Sequence, residues 1–536
     1  MFGAKKRLRK MIEDSFGKNP LEGYLYYNAG QRLDNVRRYH SAIEGAVDEN
    51  WKVDDITWND LEMDQIFLRI NHTNSFIGEQ TLYHKMHLLD KGKNPETVDR
   101  LEKRLTYLRQ NPGSRSAIEM QINYIGKNEE GYYLPEFLLN SEWWQVGNTL
   151  LFHGLQVFFL ICLIGSIAFH SIIAIAGLVC VALINLMIYL FSKQKYEIYF
   201  TALANFKKIY DFCKWMEVRD KENHLFITDE VKNAIHRLSR MSRAIFGMNQ
   251  RRQAAMTGDV VAIFREYLWG ILLIDISMFN HMMKIINNKQ EDVLVLLDLV
   301  GEIDSDISIL SYRESVSQWC KPEFVQNGLM AESMAHPLIK KPVKNDFQLL
   351  DRAIITGANA SGKSTFMKAV AINCILAQTI HTCIASKIKL QPMQIVTCMS
   401  LRDDIVTGES YYFREAKYLK RILDLIAEES SVLIVIDEML KGTNTKERVA
   451  ASKAILEYIG NLKCLALVAT HDNELTESSL YKDYHFSSQI RGKDIVFEYL
   501  IHKGTNEQSN AVALLSYLGY PKSIVEKAKV NMHENR

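Results

Sequence analysis

The segment GANASGKS at 357–364 combines two glycines, a lysine and a serine at the spacing of a phosphate-binding loop. Glycines let backbone N–H groups close around phosphate oxygens, and a helix that begins just after the loop adds positive potential. Lys363 would reach the β- and γ-phosphates, and the Ser364 hydroxyl would ligate Mg²⁺. The spacing therefore predicts a nucleoside triphosphate site, with the candidate binding residues Gly357, Ala358, Asn359, Ala360, Ser361, Gly362, Lys363, Ser364 and Thr365.

The sequence around this loop predicts the elements that must position it. The apolar run RAIIT precedes the loop at 352–356, and a helical run follows it. Two more apolar runs, VLIVIDE at 432–438 and CLALVATH at 464–471, alternate with helical stretches. Continuous β-branched runs that alternate with helices indicate a parallel sheet covered on both faces. The last third of the chain is therefore expected to be an α/β P-loop domain.

Two of these runs end in polar residues that fit triphosphate hydrolysis. Asp437 and Glu438 stand at the carboxyl end of a predicted strand, where α/β sheets bind ligands. Asp437 fits a metal-holding role together with Ser364, and Glu438 fits the residue that positions or deprotonates the attacking water. His471 ends the next strand and would polarise the γ-phosphate; the alternative is a histidine that is simply satisfied at a strand end. The catalytic candidates are Glu438, His471 and Lys363.

The composition argues against several other classes of protein. The 536 residues include 64 lysines and arginines against 63 aspartates and glutamates, so the chain is not a globally basic nucleic-acid binder, although a local basic face is compatible with this balance. The eight cysteines are scattered without a CxxC pair, which argues against a disulfide framework or a structural zinc site. The 9 prolines and 27 glycines favour long helices over a turn-rich β architecture.

One stretch stands apart because residues 143–192 contain no Asp, Glu, Lys or Arg. Its two halves, 150–169 and 172–191, each have about the 20 residues that a helix needs to cross a bilayer. We expect a transmembrane helical hairpin, and Lys193 and Lys195 at its exit place both ends in the cytoplasm. The alternative is a buried hairpin in a soluble core, but such helices normally carry a charged outer edge.

Together these segments resemble the MutS family of ABC-type ATPases. The similar motifs are ITGANASGKSTF (355–366) for the family's ITGPNxxGKST, with Ala358 in place of its proline, DEMLKGTNT (437–445) for DExGxGTST, ATHDNELT (469–476) for ATHxxEL, and DDIVTGESYYFRE (403–415) for DDLxxGxSTFxxEM.

The resemblance extends beyond the ATPase motifs. His336-Pro337 matches the pair that opens the family's ATPase domain, and NHTNSFIGEQTL (71–82) is similar to TxTxxGxRxL at the start of its helical core-and-lever domain. Residues 503–529 echo the closing segment of the family, although Asn510 and Ala511 stand at its Ser and Gly positions.

The resemblance implies an ABC-type α/β P-loop ATPase domain with a parallel sheet, preceded by an all-α core/lever domain that a transmembrane hairpin interrupts. A short apolar run at 267–279 contains Asp275 and is expected to be a buried core helix rather than a third span. The expected segments are a basic N-terminal helical segment (1–50), the first half of the core/lever helices (51–142), the hairpin (143–192), the second half of the core/lever helices (193–325), and the ATPase domain with C-terminal dimerisation helices (326–536).

Only about 50 residues precede the lever-like start, fewer than the family's mismatch-recognition and connector domains need. No Phe-x-Glu wedge occurs in the first hundred residues. We therefore expect a membrane-anchored MutS-like protein that lacks those two domains.

By the same resemblance, two ATPase domains would form a homodimer with ATP and Mg²⁺ between them. Ser410 would meet the γ-phosphate bound to the other subunit, unless it is a plain helix cap, and His336 would contact the adenine. The first hypothesis is a multi-pass membrane protein with a cytoplasmic ATPase domain that couples ATP hydrolysis to the binding of DNA, either double-stranded as in mismatch repair or branched. The alternative is a membrane mechanoenzyme that acts on a protein or lipid partner without binding DNA. Half of an ABC transporter is disfavoured, because two spans are too few for a solute path and the LSGGQ sequence is absent.

Overall fold

A computed structural model describes residues 2–22, 29–43, 51–92, 95–139, 147–221, 224–256, 260–358, 361–399, 411–428, 431–476, 478–491, 494–505 and 519–534. The chain forms two compact units. The first comprises Met1–Val47, Asn71–His84 and Asp99–Tyr312, and the second comprises Asp48–Ile70, Lys85–Val98 and Arg313–Arg536.

Helices dominate the first two thirds of the chain and alternate with strands in the last third. The helices are α1 (Phe2–Ser15), α2 (Ala29–Ile43), α3 (Asp55–Asp60), α4 (Met63–Ile70), α5 (Phe76–His87), α6 (Pro95–Gln110), α7 (Pro112–Ile125), α8 (Leu134–Leu139), α9 (Thr149–Phe169), α10 (Ile172–Arg219), α11 (Asp229–Met256), α12 (Val260–Ile271), α13 (Ile274–Asn288), α14 (Gln290–Ser315), α15 (Lys363–Thr379), α16 (Tyr411–Glu428), α17 (Thr445–Gly460) and α18 (Lys522–Glu534). The strands are β1 (Trp51–Lys52), β2 (Leu88–Leu89), β3 (Pro322–Phe324), β4 (Leu329–Met334), β5 (Asn345–Leu349), β6 (Arg352–Thr356), β7 (Lys387–Leu390), β8 (Gln394–Cys398), β9 (Val432–Asp437), β10 (Leu465–Ala469), β11 (Lys482–Arg491) and β12 (Asp494–Lys503).

The larger sheet of the second unit has the strand order β12-β11-β6-β10-β9-β8. Strands β11, β6, β10, β9 and β8 pair in parallel, and β12 runs antiparallel at the edge. The parallel sheet expected from the sequence is confirmed. Ala469 is in register with Asp437 on one side and with Ile355 on the other, so the ends of three central strands meet at one edge.

Strand β9 illustrates why these apolar runs form a buried sheet. Alternate side chains of a strand point to opposite faces. Ile434 and Ile436 join an apolar cluster that includes Leu419 and Ile422 of α16 and Leu456 of α17. Helix α15 also packs on β8, β9 and β10. With helices packed against it and strands on both sides, β9 can be apolar throughout.

Helix α3 belongs to the second unit, although the sequence assigned residues 51–142 to the core/lever helices. Its buried Asp60 accepts hydrogen bonds from the Thr397 hydroxyl at 2.7 Å and from the Met399 N–H at 2.9 Å. Asp54, at the helix N-terminus, also pairs with Arg421 of α16 at 2.6 Å. These polar contacts join α3 to the end of β8 and to α16. Hydrophobic periodicity could not indicate them, because they depend on polar side chains. The smaller sheets of this unit have the orders β3-β7-β4-β5 and β1-β2.

In the first unit, α9 and the start of α10 form the expected helical hairpin. Helix α9 agrees with 150–169, and α10 begins at Ile172 as expected but continues past 191 to Arg219. The turn is made by His170, with a positive φ of 45°, and by Ser171, whose hydroxyl caps α10. Thr149–Phe169 and Ile172–Ser192 are long and apolar enough to cross a membrane. Only 11% and 17% of the most apolar 18-residue stretch of each helix is buried within the protein.

The apolar run at 267–279 is not one helix, so that expectation is wrong. Helix α12 ends at Ile271 and α13 begins at Ile274. Leu273 between them has a φ of 50°, in the left-handed region that interrupts a right-handed helix.

Candidate nucleotide-binding and hydrolysis site

The predicted phosphate loop joins β6 to α15, as the sequence analysis requires. Gly357 and Gly362 have φ angles of 145° and 102°, which favour glycine. A Cβ at Gly357 would lie 2.9 Å from the Phe486 carbonyl, and one at Gly362 would lie 3.0 Å from the Tyr499 ring. Close packing and backbone conformation therefore both demand the two glycines.

Lys363 is the first residue of α15 and folds back over the loop. Its Nζ donates to the carbonyl of Gly357 at 2.7 Å and to that of Ala358 at 3.2 Å. Burial lowers the pKa of Lys363, and the nearby carboxylates of Glu438 and Asp437 oppose that shift. The ammonium group is thus buried at the loop, within electrostatic reach of the acidic pair that the sequence predicted.

The residues beside Lys363 fit a triphosphate with Mg²⁺. The Ser361 side chain is buried, and its hydroxyl has no hydrogen-bond partner among the described residues. A buried hydroxyl of this kind can donate to a phosphate oxygen. Ser364 lies in the first turn of α15, where N–H groups and the helix dipole favour an anion. Its hydroxyl and the Asp437 carboxylate are the oxygen ligands that Mg²⁺ prefers.

The acidic pair lies at the end of β9. Glu438 has a φ of 60°, and its N–H donates to the Ala469 carbonyl at 3.0 Å, which turns the chain sharply after Asp437. The Glu438 carboxylate contacts His471 Nε2 and lies 3.0 Å from Lys441 Nζ. Burial alone would raise the pKa of Glu438, but the hydrogen bonds from His471 and Lys441 lower it to about 2. The structure thus brings two predicted catalytic residues, Glu438 and His471, into direct contact.

A cavity of about 540 Å³ opens beside the loop and is large enough for a nucleotide. His336 lines it and accepts a hydrogen bond on Nδ1 from the Leu338 N–H at 3.3 Å. Burial, with a smaller contribution from Lys368, lowers the pKa of His336 to about 4. The ring is therefore neutral at pH 7, with its proton on Nε2.

Several residues of the site were missed by sequence reasoning. Tyr499 of β12 lines the cavity and lies against Gly362. Asn345 fixes this strand: its side chain donates to the Tyr499 carbonyl at 3.0 Å and accepts from the Ile501 N–H at 2.8 Å. Lys441 pairs with Glu438. The pairing of distant strands creates the Tyr499 position, so no local pattern signals it. Lys441 lies inside the predicted acidic motif, but its role depends on how the chain turns.

The predicted residues separate by position. Gly357 contacts Lys363 and His471 contacts Glu438, and both partners line the cavity. Asp437 is the last residue of β9, which pairs with β10. Asn359, Ala360 and Ser410 fall outside the described residues. The predicted residues that line the cavity are His336, Ala358, Ser361, Gly362, Lys363, Ser364, Thr365 and Glu438.

Comparison with known proteins finds similarity in this part of the chain. Residues 353–535 match the family model of MutS domain V, a P-loop ATPase-type fold. The chain is 29% identical over 272 residues to the DNA mismatch repair protein MutS of Fusobacterium nucleatum, a match covering 48% of this chain and 30% of that protein. The corresponding protein of Fervidobacterium nodosum is 28% identical over 271 residues (48% and 32%), and that of Natronomonas pharaonis is 30% identical over 243 residues (43% and 28%). The chain therefore spans about a third of the length of these curated relatives.

Proposed function

We propose that this protein is a membrane-anchored ATPase that binds and hydrolyses ATP at a dimer interface and couples hydrolysis to DNA binding. The observation that carries the ATPase assignment is the pairing of a glycine-bounded loop and its buried Lys363 with the carboxylate of Glu438 along one cavity. The match of residues 353–535 to MutS domain V supports the same reaction.

The residues divide the proposed reaction between them. Lys363 exchanges its bonds to the loop carbonyls for bonds to phosphate oxygens, and Ser361 donates to another oxygen. Ser364 and Asp437 would hold Mg²⁺, which neutralises charge on the transferring phosphoryl group. Glu438 orients the attacking water, because a carboxylate with a pKa of about 2 is ionised at neutral pH but is a weak base. His471 and Lys441 hold that carboxylate in place.

A homodimer completes the proposed site. The chain carries one set of ATPase motifs, and by the family resemblance Ser410 of one subunit meets the γ-phosphate bound to the other. Closure around ATP and release after hydrolysis would then drive a conformational change. We expect Ser410→Arg to abolish ATP-dependent dimerisation and Ser410→Ala, which removes only the hydroxyl, to weaken it to a smaller extent.

Membrane anchoring by α9 and the start of α10 rests on their surface. Leu150, Ile173 and Phe191 are 81%, 85% and 84% exposed, in a stretch without a charged residue. Exposure of such a continuous apolar surface to water is unfavourable, whereas its burial in the interior of a bilayer is favourable. In this proposal the ATPase domain is cytoplasmic.

The DNA partner comes from the relatives, whose names describe DNA mismatch repair. The alternative partner is a protein or lipid of the membrane. One observation favours the alternative: the exposed apolar hairpin belongs to the helical unit, which by resemblance is the part that would engage DNA.

The test is ATP hydrolysis by the full chain in lipid nanodiscs, with and without duplex or branched DNA. We expect Mg²⁺-dependent hydrolysis that DNA stimulates, with a steep decrease in stimulation as salt rises. Lys363→Ala should abolish ATP binding, and Lys368→Ala, on the same helix, is the matched control. Hydrolysis that no DNA alters would support the alternative, and hydrolysis that survives Lys363→Ala would refute the site.

A further inference from the structure

The break between α12 and α13 is held by two side chains from the hairpin. Asn185 of α10 donates its amide N–H to the Ile271 carbonyl at 2.8 Å. Gln156 of α9 donates to the Leu272 carbonyl at 3.0 Å and to the Leu273 carbonyl at 3.3 Å. The Ile271 and Leu272 carbonyls lie at the end of α12, where an interrupted helix leaves carbonyls without regular partners, whereas the Leu273 carbonyl also accepts the Ser277 N–H at 3.1 Å. The two helices proposed to cross the membrane therefore satisfy the backbone of a third element.

The positions of the two amides define the depth of this contact. Gln156 lies about seven residues after the start of α9, and Asn185 about seven residues before the end of the apolar stretch at Ser192. At ~1.5 Å per residue, both lie about 10 Å along the hairpin from its open end. The break at 271–273 thus lies at the same level, well inside the apolar segment. Lipid at this depth cannot hydrogen-bond to carbonyls, so the protein must supply the donors.

Helix α12 has one face on the hairpin and another exposed. A Cβ at Gly270 would lie 2.7 Å from the ring of the buried Tyr189 of α10, so the two helices are in close contact there. Phe264 and Leu268, one helical turn apart, are 70% and 42% exposed. Arg265, next to Phe264 on α12, is also exposed, and an arginine side chain of this length can extend its guanidinium group toward water.

We propose that α12, the break and the start of α13 form a re-entrant element that enters the same leaflet as the open end of the hairpin, with Phe264 and Leu268 against lipid acyl chains. The contacts of Gly270 with Tyr189 and of the Gln156 and Asn185 amides with residues 271 and 272 hold α12 beside the hairpin, so the exposed side chains of both belong to neighbouring helices. This inference rests on the proposed anchoring of α9 and α10. It adds a third membrane contact to a chain whose sequence indicates two spans.

The experiment labels the full-length protein in its native membrane with a lipid-soluble aryl diazirine. On illumination this reagent forms a carbene that inserts into side chains exposed to lipid, while glutathione in the buffer quenches reagent in water. Mass spectrometry then locates the label. We expect label on Phe264 and Leu268 at levels within about threefold of Phe158, an exposed hairpin residue, and at least tenfold above Tyr124, which is 71% exposed on α7.

Label on Phe158 with Phe264 and Leu268 at the Tyr124 level would overturn the re-entrant element and leave the anchoring intact. Phe158 at the Tyr124 level would overturn the anchoring, and the re-entrant element with it. The two failures are therefore distinguishable within one sample.

Discussion

Strand β9 and helix α9 have similar apolar compositions but opposite surroundings. Val432, Leu433, Ile434, Val435 and Ile436 of β9 are all 0% exposed. In α9, the buried residues are Phe152 and Cys162, whereas Leu150 is 81% and Phe169 is 80% exposed. An apolar run without charge therefore does not by itself indicate a protein core.

Length and flanking residues account for the difference. Strand β9 has six residues and lies between two parallel strands. It ends at Asp437 and is followed by Glu438, and these two carboxylates must be accessible to water and to a ligand. Helix α9 has 21 residues and is followed, after a two-residue turn, by the equally apolar first part of α10, Ile172–Ser192. In the proposed anchoring, a bilayer covers the faces of these two helices that the protein leaves exposed. The four predictions below test this contrast.

The largest effect is expected from charge in the hairpin. Ile161 and Ile164 are 60% and 61% exposed, so in a water-soluble protein Ile161→Asp with Ile164→Asp would be harmless. In a bilayer each aspartate costs about 3 kcal/mol at the centre of a span. We expect the double variant to lose membrane association on fractionation, while Tyr124→Asp, at another exposed apolar position, stays with the membrane. Membrane association of the double variant at the wild-type level would show that α9 does not lie in the bilayer.

The next largest effect concerns the residues that follow β9. Glu438→Gln removes the charge that orients the water, and we expect hydrolysis to decrease by roughly 10³-fold while ATP binding is retained. Glu457→Gln, on the exposed side of α17, is the control and should leave both unchanged. Hydrolysis at the wild-type rate in Glu438→Gln would remove this residue from the reaction.

These two regions were also the easiest to predict from sequence. The strands at 352–356 and 432–437, the loop before α15 and the hairpin helices follow from local patterns of apolar residues, glycines and charge. Glu438 and His471 were identified separately from two strand ends, and parallel pairing through β10 brings them together.

What the sequence could not supply depends on contacts between distant segments. Tyr499 reaches the cavity only because β12 pairs with β11, and β11 with β6. Helix α3 joins the second unit through the buried carboxylate of Asp60, a residue that looks like any surface acid in the sequence. The break at 271–273 contains neither glycine nor proline itself, and the preceding Gly270 lies within α12, so the sequence does not distinguish a break here from a continuous helix.

A smaller effect should come from the amides that join the hairpin to α12. Asn185→Leu and Gln156→Leu keep the side chains similar in size but remove the donors, leaving the part-buried carbonyls of Ile271 and Leu272 without them at a cost of about 1–3 kcal/mol each. We expect the double variant to show severalfold less diazirine label on Leu268, with unchanged label on Phe158. Ser166→Ala, which removes a hydroxyl bonded within α9 itself, is the control. Unchanged label on Leu268 would show that these amides do not hold α12 against the hairpin.

The smallest effect is a pH dependence of stability, and it concerns the unit that contains the sheet. The hairpin holds no carboxylate or lysine that could titrate. Burial lowers the pKa of His336 from 6.5 to about 4, so the unfolded chain binds a proton here more readily than the folded one. The contribution of His336 to stability is therefore present above pH 6.5 and is lost as the pH falls toward 4. In His336→Asn, which can still accept the Leu338 N–H, we expect the thermal midpoint of the second unit to fall less over this interval than in the wild type, equivalent to about 1–2 kcal/mol. Identical pH dependence in the two proteins would mean that His336 titrates at its ordinary pKa, and therefore that the cavity is open to water beside the ring.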